Sequence, residues 1–239
     1  MKEPFINKYK PYYIKDFKLN KHTEGTLQTF LKMDDINLLL YGNMGCGKTM
    51  LLESIVREYY ELSPNDSFPE YNIMYINNLR EQGIGFYRNE MKTFCQSQSI
   101  IYGKKKMIMI DDIDNVNEQS QQVFRNYIDS YKKNIHFVAV CTNMQKVIES
   151  IQSRVHILQI KPLTIPEIKV HMEHIIKQEH MNIKVECKEY LLSVCNHSVR
   201  VMINYLEKLW LLNQPITLDL CKQTCSYMST QHFDDYLQA

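Results

Sequence analysis

The clearest chemistry in this sequence is a glycine-rich loop that fits the pattern G-x-x-x-x-G-K-[ST]. It reads Gly42-Asn43-Met44-Gly45-Cys46-Gly47-Lys48-Thr49, and Met50 follows it. Glycines let a loop wrap closely around phosphates, and the N–H groups at the start of the next helix face the anion. Lys48 adds positive charge for the outer phosphates, and Thr49 offers a hydroxyl to Mg²⁺. We therefore expect residues 42–50 to bind a nucleotide.

An acidic cluster follows an apolar run later in the chain. Asp111, Asp112 and Asp114 come directly after the run Met107–Ile110. A phosphate-binding loop needs an acidic partner at the end of a neighbouring strand, so we expect Asp111 to hold Mg²⁺ through water. Asp112 would orient or deprotonate the attacking water. The alternative is a solvated acidic turn without a role in chemistry.

The elements that must position these residues alternate between strands and helices. Short apolar runs predict strands at 36–41, 71–76, 107–110, 136–141 and 155–160. Helical periodicity separates them, at 49–61, 86–97 and 118–130. Such alternation is typical of an α/β fold with a parallel sheet and crossover helices.

Beyond Pro162 the pattern becomes entirely helical. Helices are predicted at 165–178, 186–195, 199–212 and 218–225. We therefore expect an α/β nucleotide-binding domain at 1–161 and a small all-helical lid domain at 162–228. Residues 229–239 would be a tail or the start of a further domain.

Composition excludes several classes of protein. The 239 residues are 44% hydrophobic, which excludes intrinsic disorder as the main state. A net charge of +1 excludes a globally basic nucleic-acid coat, so any such contact needs a local patch. No apolar run is long enough for a membrane span. Seven scattered cysteines and a start without an apolar segment favour a reducing, intracellular compartment.

Several further segments resemble one family, the clamp-loader AAA+ ATPases, and most closely replication factor C small subunits. The resemblance extends from Pro4 to about Cys225. The segments that carry it, in chain order, are Lys8-Tyr9-Lys10-Pro11, Asn77 to Ile84, Arg88 to Lys92, Gln121 to Arg125, Cys141-Thr142-Asn143, Ile148 to Val155 and Val199-Arg200.

The resemblance implies a role for each matched position. Tyr9, Lys10 and Pro11 would help form the adenine pocket. Asn143 would be the sensor that helps to place the water, and Arg154 a finger reaching into a neighbour's ATP. Arg200 would sense the γ-phosphate from the lid. The basic helix faces supply candidate DNA contacts, namely Arg88, Lys92 and Arg125. Each of these residues has a plainer alternative as a turn cap or an exposed side chain.

The family's function implies ATP and Mg²⁺ as cofactors and ATP-driven loading of a sliding clamp onto primer–template DNA during replication. Partners would be other clamp-loader subunits in a hetero-oligomeric ring, a pentamer in the family, together with the clamp and DNA. A nuclear or viral replication site follows. The alternatives are a non-hydrolysing structural AAA+ subunit, another replication or repair motor, or a helicase loader.

Two departures from the family matter. Asp112 stands where the family has Glu, which sets the carboxylate back by about 1.5 Å on a fixed backbone. Because a misplacement of about 1 Å can lower a rate about a hundredfold, we expect slow hydrolysis. The family also has a third, helical collar domain, and residues 229–239 could only begin one.

Overall fold

The computed structural model describes residues 3–77 and 84–225, which divide into two compact units. One unit spans Pro11–Lys161, and the other combines residues 3–10 with residues 162–225. The sequence placed residues 1–161 in one domain, but the structure differs at the N terminus. Helix α1 (Phe5–Lys8) packs in the helical unit because Phe5 is buried there, with its ring tilted against that of Trp210.

The larger unit is built on a five-stranded parallel sheet, as predicted. The strands have the spatial order β2-β3-β4-β1-β5. In chain order they are β1 (Leu38–Tyr41), β2 (Ile73–Ile76), β3 (Lys106–Ile110), β4 (Ile135–Cys141) and β5 (His156–Gln159). In register, Leu38 lies between Val138 and His156. Strands β1, β3 and β4 are almost continuously apolar because helices cover both faces of the sheet.

Helices pack on the two faces of this sheet. They are α2 (Lys21–Met33), α3 (Lys48–Tyr60), α4 (Ile84–Gln96), α5 (Glu118–Tyr131) and α6 (Glu149–Gln152). Leu51 and Ile55 of α3 belong to one hydrophobic core with β1, and Phe124 and Ile128 of α5 belong to the other. Since all strands run the same way, the loops after β1, β3 and β4 meet at one edge. We call it the carboxyl edge of the sheet, and its opposite the amino edge.

The second unit is helical, as predicted for a lid. It contains α7 (Ile165–Gln178), α8 (Val185–Val194), α9 (Val199–Leu212) and α10 (Leu218–Thr224). Helix α7 begins at a capping box in which Thr164 and Glu167 satisfy each other's backbone N–H groups. The buried core of the helical unit includes Leu191, Met202 and Leu206. Within the described residues, no helix is both long and apolar enough to cross a bilayer.

Candidate functional site

The glycine-rich loop connects β1 to α3 and depends on the absence of side chains at two positions. A Cβ on Gly42 would lie 2.3 Å from the carbonyl oxygen of Ile160, a distance that no real side chain tolerates. Gly47 has φ +89° and forms the N-cap of α3, a conformation that favours glycine. The predicted loop residues Asn43, Met44 and Cys46 lie in the turn itself. Met50 lies in the first turn of α3, where backbone N–H groups have no intrahelical partner and are suited to an anion.

Lys48 and Thr49 begin α3 with their side chains directed along the loop. The Lys48 side chain is buried, and its Nζ donates to the carbonyls of Gly42 at 2.9 Å and Asn43 at 3.0 Å. The Thr49 hydroxyl donates to Asp111 Oδ1 at 3.1 Å. A hydroxyl beside a carboxylate is the kind of oxygen donor set that suits Mg²⁺. These residues therefore fit a magnesium–phosphate ligand.

The acidic turn after β3 places its carboxylates at the same edge. Asp112 adopts a left-handed conformation, with φ 51° and ψ 54°. Burial raises the pKa of Asp112, and the neighbouring carboxylates Asp111 and Asp114 add to the shift. Asp111 accepts a second hydrogen bond, from the Tyr75 hydroxyl at 3.1 Å. The turn thus concentrates negative charge next to the cation of Lys48.

Asp114 and Asn143 join the acidic turn to the loop after β4. Asp114 Oδ2 accepts from the backbone N–H groups of Thr142 at 3.1 Å and Asn143 at 2.8 Å. Its Oδ1 is buried and has no hydrogen-bond partner within the described residues. Asn143 Oδ1 accepts from the Gln145 N–H at 3.0 Å, which caps a short 3₁₀ turn. The cap fixes the Asn143 amide, so capping and placing water are compatible roles.

Gln121 of α5 hydrogen-bonds to both the loop after β3 and the loop after β4. It is 1% exposed, and its Nε2 donates to the carbonyls of Ile113, Val116 and Lys146 at 2.9–3.3 Å. Its Oε1 accepts from the Ile148 N–H at 2.9 Å. Every polar atom of this buried amide is satisfied, so it rigidly links the loops after β3 and β4.

The structure does not bring Arg154 to this site. Arg154 lies two residues before β5 begins, at the amino edge, whereas the glycine-rich loop follows the carboxyl end of the adjacent β1. The four paired residues of β5 alone span about 13 Å at ~3.3 Å per residue. Arg154 Nε instead donates to Asp129 at 2.7 Å. Topology therefore excludes a role for Arg154 in the candidate site of its own chain.

The basic residues predicted to contact DNA lie on two packed helices. Arg88 and Lys92 are exposed one turn apart on α4, and the Tyr127 hydroxyl of α5 donates to the Arg88 carbonyl at 3.0 Å. Arg125 of α5 is partly buried and lies 3.5 Å from Asp129. Within the described residues Arg88 and Lys92 have no ion-pair partner, whereas Arg125 does.

The remaining predicted residues divide between the two units. Tyr9 belongs to the helical unit, where its hydroxyl hydrogen-bonds Glu179 at 2.5 Å. Lys10 belongs to that unit, and Pro11 begins the sheet unit. Arg200 is exposed in the first turn of α9. The segment 78–83, which contributed to the family resemblance, lies outside the described residues.

Sequence reasoning missed Tyr75 and gave Asp114 and Gln121 no role in the site. Tyr75 is opposite Met109 in the pairing of β2 with β3, which brings its hydroxyl to the end of the next strand. That signal depends on the strand order, which the sequence does not supply. Asp114 could have been noticed from its place in the acidic turn, but its backbone partners come from a distant loop.

Residues 38–163 match the family described as "ATPase family associated with various cellular activities (AAA)". Replication factor C subunit 3 of Schizosaccharomyces pombe is 30% identical over 85% of this chain and 58% of its own length. A replication factor C small subunit of Methanocella arvoryzae is 27% identical over 99% of this chain and 72% of its own length. The chain thus spans less than two thirds of the Schizosaccharomyces relative.

A solved structure of a Thermotoga maritima RuvB mutant matches with a TM-score of 0.66 at 17% identity, covering 91% of this chain and 72% of that one. At this identity the match supports the fold alone. The family match spans the sheet unit from β1 onward and includes the glycine-rich loop and the acidic turn. The predicted resemblance to clamp-loader AAA+ ATPases is confirmed by the similarity to replication factor C subunits. The chain belongs to the AAA family of ATPases.

Proposed function

We propose that the carboxyl edge of the sheet binds ATP with Mg²⁺. The observation that carries this proposal is the 3.1 Å hydrogen bond between Thr49 and Asp111, which joins the phosphate loop to the acidic turn. Gly42–Thr49 would hold the phosphates, with Lys48 against the outer ones. Thr49 would bind the metal directly and Asp111 through water. Bound Mg²⁺ would supply charge neutralisation at the phosphates.

Hydrolysis needs a base, a positioned water and charge stabilisation. Asp112 has a raised pKa and is the candidate base, and Asn143 would hold the water through its capped amide. Arg154 lies at the opposite edge, so we assign it to the site of a neighbouring subunit. Arg200 places a positive charge in the first turn of α9, where the helix dipole is also positive. An anionic ligand bound there would offset both positive charges.

The cellular role proposed is that of a clamp-loader small subunit in DNA replication. The names of the relatives support it, and the partners would be other loader subunits in a ring, a sliding clamp and primer–template DNA. A nuclear or viral replication site follows from that role. The exposed face of α4 with Arg88 and Lys92 would contact the DNA backbone electrostatically.

An exposed apolar surface supports a protein partner at the amino edge. Tyr71, Ile100 and Tyr102 are 77%, 69% and 102% exposed. Asn72 bonds to Ser99 and to the Ile100 N–H, which holds the two loops side by side. Clustered exposed apolar groups mark interaction sites. We propose the clamp as the partner of this surface.

One experiment tests the proposed role. The complex that co-purifies with the full chain should contain related AAA subunits, bind the clamp and hydrolyse ATP. Arg154→Ala should leave nucleotide affinity unchanged. It should abolish ATP hydrolysis at the neighbouring site that this arginine completes, because a finger in trans contributes roughly 10³–10⁵ in rate. Equal rates with and without Arg154 would contradict the assignment. A complex without clamp affinity would favour another AAA+ motor or a helicase loader.

A second candidate is a subunit that binds ATP without hydrolysing it. The observation that favours it is Asp112, one methylene shorter than the Glu of the family. Its left-handed backbone fixes where the short side chain can reach. Slow rather than absent hydrolysis is the reading we adopt, because the raised pKa of Asp112 suits a base.

A further inference from the structure

We infer that Asp129 is a positioning residue for Arg154, which holds the guanidinium ready for a neighbour's nucleotide. The inference rests on the proposed function, since it assumes that Arg154 acts in trans. Asp129 lies near the end of α5, on a different element from Arg154, and is 25 residues away in sequence. The family resemblance gave Asp129 no role.

The contacts of Arg154 fix one side of its guanidinium. Nε donates to Asp129 Oδ1 at 2.7 Å, and Nη1 donates to the Ser150 carbonyl at 2.7 Å and to the Ser153 hydroxyl at 3.2 Å. These three bonds come from two different elements, so the planar group cannot rotate freely. Only 28% of the side chain is exposed.

The other side of the guanidinium is available. Nη2 makes no hydrogen bond to any residue that the structure describes, which leaves its two N–H donors for a ligand. Asp129 and Arg154 line a surface cavity of about 340 Å³ together with Lys132. Two N–H donors without a protein partner, in a cavity that Lys132 and the carboxyl group of Asp35 also line, are suited to a phosphate oxygen.

Asp129 is a better anchor for Arg154 than for its other neighbour. Arg125, one helical turn away, approaches Asp129 Oδ2 at 3.5 Å, compared with 2.7 Å for Arg154. The Arg154 hydrogen bond is the largest cause of the lowered pKa of Asp129, so the carboxylate stays charged near neutral pH. Pre-ordering a long side chain removes an entropic cost from the step in which it binds phosphate.

The test uses the complex that co-purifies with the full chain and a double-mutant cycle of Asp129→Asn, Arg154→Ala and both together. Asp129→Asn should lower kcat for the finger-dependent rate by about tenfold to a hundredfold, as expected for a misplacement of about 1 Å. KM and nucleotide affinity should not change. Adding Asp129→Asn to Arg154→Ala should have no further effect, and Asp129→Glu should retain part of the rate.

Glu118→Gln is the matched control, because it removes one charge from the same helix at an exposed position. It should leave kcat unchanged. If Arg154→Ala lowers the rate but Asp129→Asn does not, the inference about Asp129 is wrong, and the assignment of Arg154 as a finger in trans is retained. If the losses of rate in the two single variants add up in the double variant, Asp129 does not act through Arg154. If Asp129→Asn changes KM and stability as much as it changes kcat, its role is merely structural. If Arg154→Ala itself has no effect, both the inference and the trans finger fail.

Discussion

The two edges of the sheet use polar residues in opposite ways. At the carboxyl edge, like charges lie together, Asp112 is left-handed and a buried oxygen of Asp114 has no partner within the described residues. At the amino edge, the buried imidazole of His136 and the polar groups around it satisfy one another. The carboxyl edge therefore keeps hydrogen-bonding capacity for a ligand, whereas the network around His136 at the amino edge uses its capacity to hold the fold.

The network of the amino edge is centred on His136, the second residue of β4 and fully buried. Its Nδ1 accepts from the Ile36 N–H at 3.3 Å, so Nε2 carries the proton and donates to Asp34 Oδ1 at 3.0 Å. Tyr59 donates to the same carboxylate at 2.9 Å, and Lys105 lies 2.9 Å from it. This network joins α2, α3, β3 and β4 at one point.

The largest effect that separates the two edges is expected from His136→Phe. The change keeps a planar aromatic ring but leaves the buried Ile36 N–H without a partner, which should destabilise the fold by about 2–3 kcal/mol. Nucleotide affinity should not change. Urea unfolding and nucleotide titration measure the two quantities, with His22→Phe, at an exposed position of α2, as the control. Loss of affinity in a folded His136→Phe protein would break the comparison.

The same histidine predicts a pH dependence. Burial lowers the pKa of His136 in the folded chain. As the pH falls below about 6.5, His136 therefore becomes protonated in the unfolded chain before it does so in the folded chain. Stability should therefore decrease below that pH, by at most about 1.4 kcal/mol per pH unit from this group. His136→Phe should show a shallower slope in urea unfolding between about pH 7.5 and pH 5.5. An unchanged slope would show that other groups cause the pH dependence.

Asp112→Glu should have the next largest effect and act only at the carboxyl edge. Restoring the longer side chain should raise kcat by up to about a hundredfold, equivalent to about 2.7 kcal/mol, because the carboxylate moves closer to the water. Unfolding should hardly change. ATPase assays on the assembled complex measure the gain. If the rate does not rise, the subunit that binds ATP without hydrolysing it becomes the better account.

Tyr75→Phe should have the smallest effect of the three. It removes the hydroxyl that orients Asp111 and should weaken Mg²⁺ affinity in the nucleotide complex by about tenfold, as for other groups that support a metal ligand. A titration of Mg²⁺ at fixed nucleotide measures the change. Tyr71→Phe is the control, because that hydroxyl is exposed at the amino edge. Equal Mg²⁺ affinities in the two variants would show that Tyr75 does not support the site.

Much of the carboxyl edge could be predicted because its chemistry is local in sequence. Gly42 to Thr49 and Asp111 to Asp114 are continuous segments that follow apolar strands, and the five predicted strands were each found. The amino edge could not be predicted in the same way. Asp34 and His136 are 102 residues apart, and Asp129 and Arg154 meet only through the packing of α5 against the segment before β5.

The division at the N terminus was missed for a related reason. Phe5 has no local pattern that distinguishes the two units, and its burial beside Trp210 depends on contacts about 200 residues away. Pairings over such separations are fixed by tertiary packing, which periodicity does not report.

We propose that the carboxyl edge binds the phosphates of ATP through Lys48 and Mg²⁺ through Thr49 and Asp111. The most direct measurement is a titration of the full chain and of Lys48→Ala with a fluorescent ATP analogue, with and without Mg²⁺. We expect binding by the wild-type chain and a loss of at least about a hundredfold in Lys48→Ala, since a buried cation is removed from the phosphates. Lys132→Ala, at the amino edge, should bind normally. Equally tight binding by Lys48→Ala would contradict the account.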